Sequence, residues 1–95
     1  MRFMMRVVLD TEKANQLVLG GKLGSTIGGI LEKQKPEAAY FVAEEWNRTG
    51  YLIVNFDEPG DLPRFAEPWF LAFNARVQVQ PAMIADDLKR ALPAS

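Results

Sequence analysis

Residues 37–56 constrain this chain more than any other stretch. Segments 38–46 (AAYFVAEEW) and 51–56 (YLIVNF) are dense in aromatic and β-branched residues, which suit a pleated, half-buried surface. Between them Asn47-Arg48-Thr49-Gly50 is turn chemistry. The pattern predicts an antiparallel hairpin with its turn at Trp46 to Gly50, on which the rest of the chain packs.

Upstream, Phe3, Met5, Val7 and Leu9 alternate with Met4, Arg6, Val8 and Asp10, and both sets are largely apolar. That alternation predicts a strand over 2–10, central and covered on two sides. Asp10 or Thr11 can accept the free amides that open a helix carrying Ala14, Leu17 and Val18 at helical spacing. Five of the seven glycines then fall between Gly20 and Gly29. Each costs about 1 kcal/mol against alanine inside a helix, so a break is expected near Gly20-Gly21. A second helical piece follows over 23–34, with Ile27, Ile30 and Leu31 inward, until Pro36 stops it.

Downstream of the hairpin, Asp57-Glu58-Pro59-Gly60 is a turn, and Asp61 is placed to cap a helix with Pro63 in its first turn. Leu62, Phe65, Ala66, Trp69, Phe70 and Phe73 recur at spacings of three and four and form one wide apolar face. Pro68 in the interior predicts a kink or local widening. Asn74 can end this helix in a left-handed conformation. Val77, Val79, Pro81 and Met83 then alternate with Arg76, Gln78, Gln80 and Ala82 as a last strand, and Pro81 argues for an edge position. Residues 86–92 suit a short terminal helix, and 93–95 are expected to fray.

The order is β-α-β-β-α-β in one domain of 95 residues. This is an α+β, ferredoxin-like arrangement: a four-stranded antiparallel sheet with helices on one face and the first and third strands in the middle. Two helices cover one face only. The other face presents Met4, Val8 and Ile53 among Arg6, Asn55, Gln78 and Gln80, a patch too apolar for a lone chain to leave wet. The expected solution is a two-fold homodimer in which two sheet faces meet as a dimeric α/β barrel, with a higher oligomer also open.

Acidic and basic residues nearly balance, at 12 and 11, and no basic cluster forms, so neither nucleic acid nor an anionic membrane is an expected partner. Cysteine and histidine are both absent. There is no thiol nucleophile and no imidazole base, and a metal site would need carboxylates alone. No metal and no cofactor are expected. Arg2 and Arg6 interrupt the apolar N-terminal run, which does not fit a signal peptide, and no run is long enough to cross a bilayer; a cytoplasmic protein is expected.

Gly20-Gly21-Lys22-Leu23-Gly24-Ser25-Thr26 has the composition of a phosphate loop in the wrong order, because lysine should directly precede Ser or Thr. It reads instead as a helix break, or as a flexible rim admitting a small ligand. Tyr40, Trp46, Tyr51, Trp69 and Phe70 are an aromatic set able to line an apolar pocket, although rings at such spacings more often simply build core. Glu44 and Glu45 project to opposite faces of their strand. A desolvated one of the pair, its pKa raised, could move a proton while Arg6 holds an anionic substrate; the plainer role is an interface ion pair.

A hydrophobic strand ending Asn55-Phe56-Asp57, a helix after Asp61-Leu62, then Pro68-Trp69-Phe70-Leu71 and a strand closing Val77-Gln78-Val79-Gln80-Pro81 resemble the second half of the muconolactone isomerase-like dimeric α/β barrels. The resemblance implies a homodimer with a ligand cleft between sheet and helices. It extends to related cofactor-independent monooxygenases, whose Asn, Trp and Tyr types are present here as Asn55, Trp46 and Tyr40. Three functions follow as expectations. The first is binding of a small, mostly apolar molecule in that cleft, lined by Tyr40, Trp46, Tyr51, Asn55, Trp69 and Phe70. The second is an isomerase or monooxygenase of that kind, with Glu44 or Glu45 and Arg6 as its working groups. The third is a structural or interaction module acting through its dimer surface. An enclosed cleft favours the first, a buried carboxylate opening into it the second, and a solidly packed core the third.

Overall fold

The computed structural model describes residues 1–94, so the end of the expected frayed tail, Ser95, lies outside the described residues. Its elements are β1 (Arg2–Val8), α1 (Thr11–Leu19), α2 (Leu23–Gln34), β2 (Ala38–Glu44), β3 (Asn47–Asn55), α3 (Asp61–Phe73), β4 (Arg76–Pro81) and α4 (Ala85–Ala91). The sheet order is β2-β3-β1-β4, antiparallel throughout. The first and third strands are central, as expected of a ferredoxin-like fold, and β4 with Pro81 is an edge.

Helix boundaries follow local chemistry. The Asp10 carboxylate accepts the Lys13 amide at 3.0 Å and opens α1. The helix stops at Gly20, and Gly21, at φ 68°, takes the left-handed turn into α2. Asn74, at φ 49°, ends α3 while its amide bonds the Phe70 carbonyl at 3.0 Å.

Two local expectations need correction. The hairpin turn is Glu45-Trp46, four residues before Gly50, with both residues at positive φ (50° and 61°) as in a mirror-image two-residue turn. Asn47, Arg48, Thr49 and Gly50 are strand residues paired with Glu44, Ala43, Val42 and Phe41. Gly50 supplies space rather than a turn: a Cβ there would sit 2.9 Å from Cε1 of Phe41, whose ring covers the glycine across the strands. Asp61 lies within the first turn of α3 and bonds backwards, accepting the amides of Asp57 (2.8 Å) and Glu58 (3.3 Å). These bonds, ahead of the neighbouring Arg64, hold its carboxyl below the usual range. The helix α3 extends from Asp61 to Phe73 with Pro68 inside it. Gln34 at the end of α2 braces this stretch, donating to the Phe65 carbonyl at 2.8 Å and accepting from the Trp69 indole at 3.2 Å.

Register assigns each strand residue to a face. Phe3, Met5 and Val7 pair with Val54, Leu52 and Gly50 on one side and Pro81, Val79 and Val77 on the other, and this set faces the helices. Met5, Val7, Leu52, Val54, Trp69 and Phe73 are no more than 1% exposed. Each contributes about 1.5–3 kcal/mol of burial, so this layer dominates stability. Ala14 of α1 joins it, and Ile27, Ile30 and Leu31 of α2 close over it. The apolar face of α3 is wider than this core needs: Leu62 and Phe70 stay 45% and 40% exposed.

Candidate functional site

No helix covers the opposite face of the sheet, and its centre is a polar row that crosses all four strands. Arg6 of β1 stands opposite Tyr51 of β3 and Gln78 of β4. Its Nε donates to Oε2 of Glu44 at 2.6 Å and its Nη1 to Oε1 of Gln78 at 3.2 Å. Tyr51 donates its hydroxyl hydrogen to the other Glu44 oxygen. Glu44 belongs to β2, two residues beyond Val42 on the same side of the strand, so four residues from four strands make one connected network.

The titration of the row follows from these bonds. The Tyr51 hydroxyl, then Arg6, hold the Glu44 carboxyl below its ordinary range. The Tyr51 phenol is pushed up, first by its bond to Glu44 and then by desolvation. Arg6 is held still more firmly protonated by Glu44. At neutral pH the row is a carboxylate, a guanidinium and a neutral phenol. It is internally neutralised, and Glu44 acts as a fixed acceptor rather than a proton donor.

Apolar residues flank the row. Met4 pairs with Ile53 on one side of it and Val8 with Thr49 on the other, while Tyr40 lies opposite Tyr51 and is 68% exposed. A second charged group stands at the end of this face, where Arg2 bonds Glu37 at 2.9 Å and approaches Asp87 of α4 at 3.8 Å.

The expected site residues divide among four places. Arg6, Glu44, Tyr51, Tyr40 and Asn55 share the uncovered face. Trp69 is fully buried in the core on the other side of the sheet, and Phe70 lies half-exposed on the side of α3 towards β4. Trp46 is 92% exposed at the hairpin tip beside Glu45, whose carbonyl accepts from Asn47 Nδ2 at 3.5 Å. Tyr40, Trp69 and Phe70 therefore do not enclose one cleft. Among the described residues, no group of three or more acidic side chains could hold a metal ion, and no helix is long and apolar enough to cross a membrane.

The structure also shows a groove absent from the sequence-based site. Two open depressions lie side by side between α3 and β4 and share Leu62 and Val79. One, of about 420 Å³, is lined by Met1, Phe3, Phe56 and Pro59, with Asp57 and Glu58 at its rim. The other, of about 390 Å³, reaches Ala66, Phe70 and Val77. The signal available in the sequence was the excess width of the α3 apolar face. Neither family models nor curated proteins give a match to this chain.

Proposed function

We propose that this chain is a dimerising α+β module in which the uncovered faces of two copies close on each other as an α/β barrel, the arrangement implied by its likeness to muconolactone isomerase-like barrels. The observation that carries the reading is the make-up of that face. The charges at its centre are paired within the chain by the Glu44–Tyr51–Arg6–Gln78 row, with Arg76 exposed at the edge on β4, while Met4, Ile53 and Tyr40 around the row are left for a partner. The centre of such a surface can be desolvated without stranding a charge. A solidly buried helix-side core also supports a working surface outside the layers.

Sedimentation equilibrium tests this. The chain is expected to be dimeric at micromolar concentration. Ile53→Lys, placing an unpaired charge in the contact, should weaken the dimer at least about tenfold. The monomer fold should survive, checked by the fluorescence of buried Trp69. A wild-type chain that is monomeric at these concentrations overturns the reading.

The groove between α3 and β4 favours a second reading, binding of a small, mostly apolar molecule. Its volume and lining lie in the range of ligand sites. Saturable binding of anilinonaphthalene sulfonate that Val79→Glu abolishes supports it, and the same binding in both proteins removes it. An isomerase or cofactor-independent oxygenase finds less support, because proton transfer calls for a desolvated carboxyl with a raised pKa, and Glu44 carries the opposite shift.

A further inference from the structure

We propose that α4 is an arm that packs on a second copy of the chain. The proposal rests on the dimer reading above and adds a named element to it. Ile84, Leu88 and Leu92 recur every four residues and so share one side of the segment, yet they are 45%, 46% and 57% exposed, and Met83 before them is 66% exposed. No residue of the helix is buried.

A helix of seven residues does not hold together alone in water, where nucleation outweighs so few bonds. Local chemistry nevertheless shapes this one. The Asp87 carboxylate accepts the Ile84 amide at 3.0 Å and pairs with Arg90, and the Leu92 amide closes on Leu88 at 3.1 Å. The arm is rooted at the end of the uncovered face, where the Ala82 amide bonds the Arg2 carbonyl at 3.0 Å and the Arg2 side chain approaches Asp87. A preformed amphipathic helix beside that face, with its apolar side left about half exposed by its own chain, lacks a full surface.

Area and shape identify what supplies it. The chain exposes 6595 Å², whereas a folded monomer of 10.7 kDa exposes about 5,500 Å². The excess of about 1,100 Å² exceeds the ~800 Å² that each partner contributes to a standard stable interface. The radius of gyration is 15.2 Å against about 12 Å for a compact domain of this length. A second copy can cover the face and the arm together, and the net charge of -1 puts little repulsion between two copies.

Hydrogen exchange on the full chain, above and below the dimer dissociation constant, tests the proposal. Amides of residues 88–92 should exchange at least about tenfold more slowly in the dimer and lose that protection on dilution. Leu88→Asp should weaken the dimer by at least about tenfold with no loss of monomer melting temperature. If the chain dimerises but arm exchange is the same at both concentrations, or Leu88→Asp leaves dimerisation unchanged, the arm is overturned and the dimer stands. A chain that stays monomeric overturns both.

Discussion

The two faces of one sheet differ in what holds them. On the helix side, Met5, Val7, Leu52 and Val54 meet Trp69 and Phe73 with almost no exposure, and the Trp69 indole drawn in with them is bonded by Gln34. On the other side, the same strands offer alternate residues: Arg6, Tyr51 and Glu44 locked together, with Met4, Ile53 and Tyr40 around them. The first face is organised by burial and gives stability. The second is organised by directional bonds and gives a surface of defined shape whose central charges are paired. Adjacent residues of a strand thus meet different environments, because the pleat sends them to opposite sides.

That contrast breaks most visibly in the core. Trp69→Ala should cost about 3–5 kcal/mol of unfolding free energy, leaving a cavity and the Gln34 Oε1 without its donor, as measured by chemical denaturation. A loss no larger than that of Tyr40→Ala, on the exposed face, would mean the two faces are not distinct in energy. A smaller effect sharpens the comparison at the hairpin. Two-residue turns of this hand favour Asn-Gly, and Glu45 and Trp46 hold left-handed conformations without it. The double change Glu45→Asn, Trp46→Gly should therefore raise stability by about 1 kcal/mol while leaving the register intact. A changed register would carry every side chain of β2 to the other face and would show in the cross-strand contacts seen by NMR.

The smallest effect is the pH dependence of the polar row. Glu44 titrates below its ordinary value when folded, so its contribution is full above the unfolded carboxylate pKa and is lost as pH falls through the lower folded one. Tyr51 titrates above its ordinary value, so its contribution is full below the unfolded phenol pKa and is lost as pH rises through the folded one. The difference in melting temperature between wild type and Glu44→Gln should be greatest between about pH 5 and pH 9 and shrink at either end. A difference that is flat with pH would dissolve the row as a coupled unit.

Much of the fold was legible because it depends on short-range rules. The strand at Arg2–Val8, the helix break at Gly20-Gly21 and the left-handed end at Asn74 each follow from local alternation, glycine cost or cap chemistry. The hairpin turn was not legible. Asn47-Arg48-Thr49-Gly50 has better turn residues than Glu45-Trp46, but pairing Ala39 with Leu52 and Phe41 with Gly50 sends β2 to the core in phase with β3, and that register outweighed local preference. For the site, parity along the strands placed Arg6 and Gln78 on the uncovered face. It did not show that Glu44 reaches across to both Arg6 and Tyr51, nor that α3 and β4 leave a groove between them.

By itself the sequence determined the number and kind of elements, their order, and which residues of each strand share a side, because these follow from periodicity and from chemistry within a few positions. Only the tertiary structure decided which aromatic residues became core, turn or surface, and which carboxylate met the arginine. Those outcomes depend on register and on side-chain reach between segments distant in the chain, where Trp69 and Tyr40 become residents of opposite sides of one sheet.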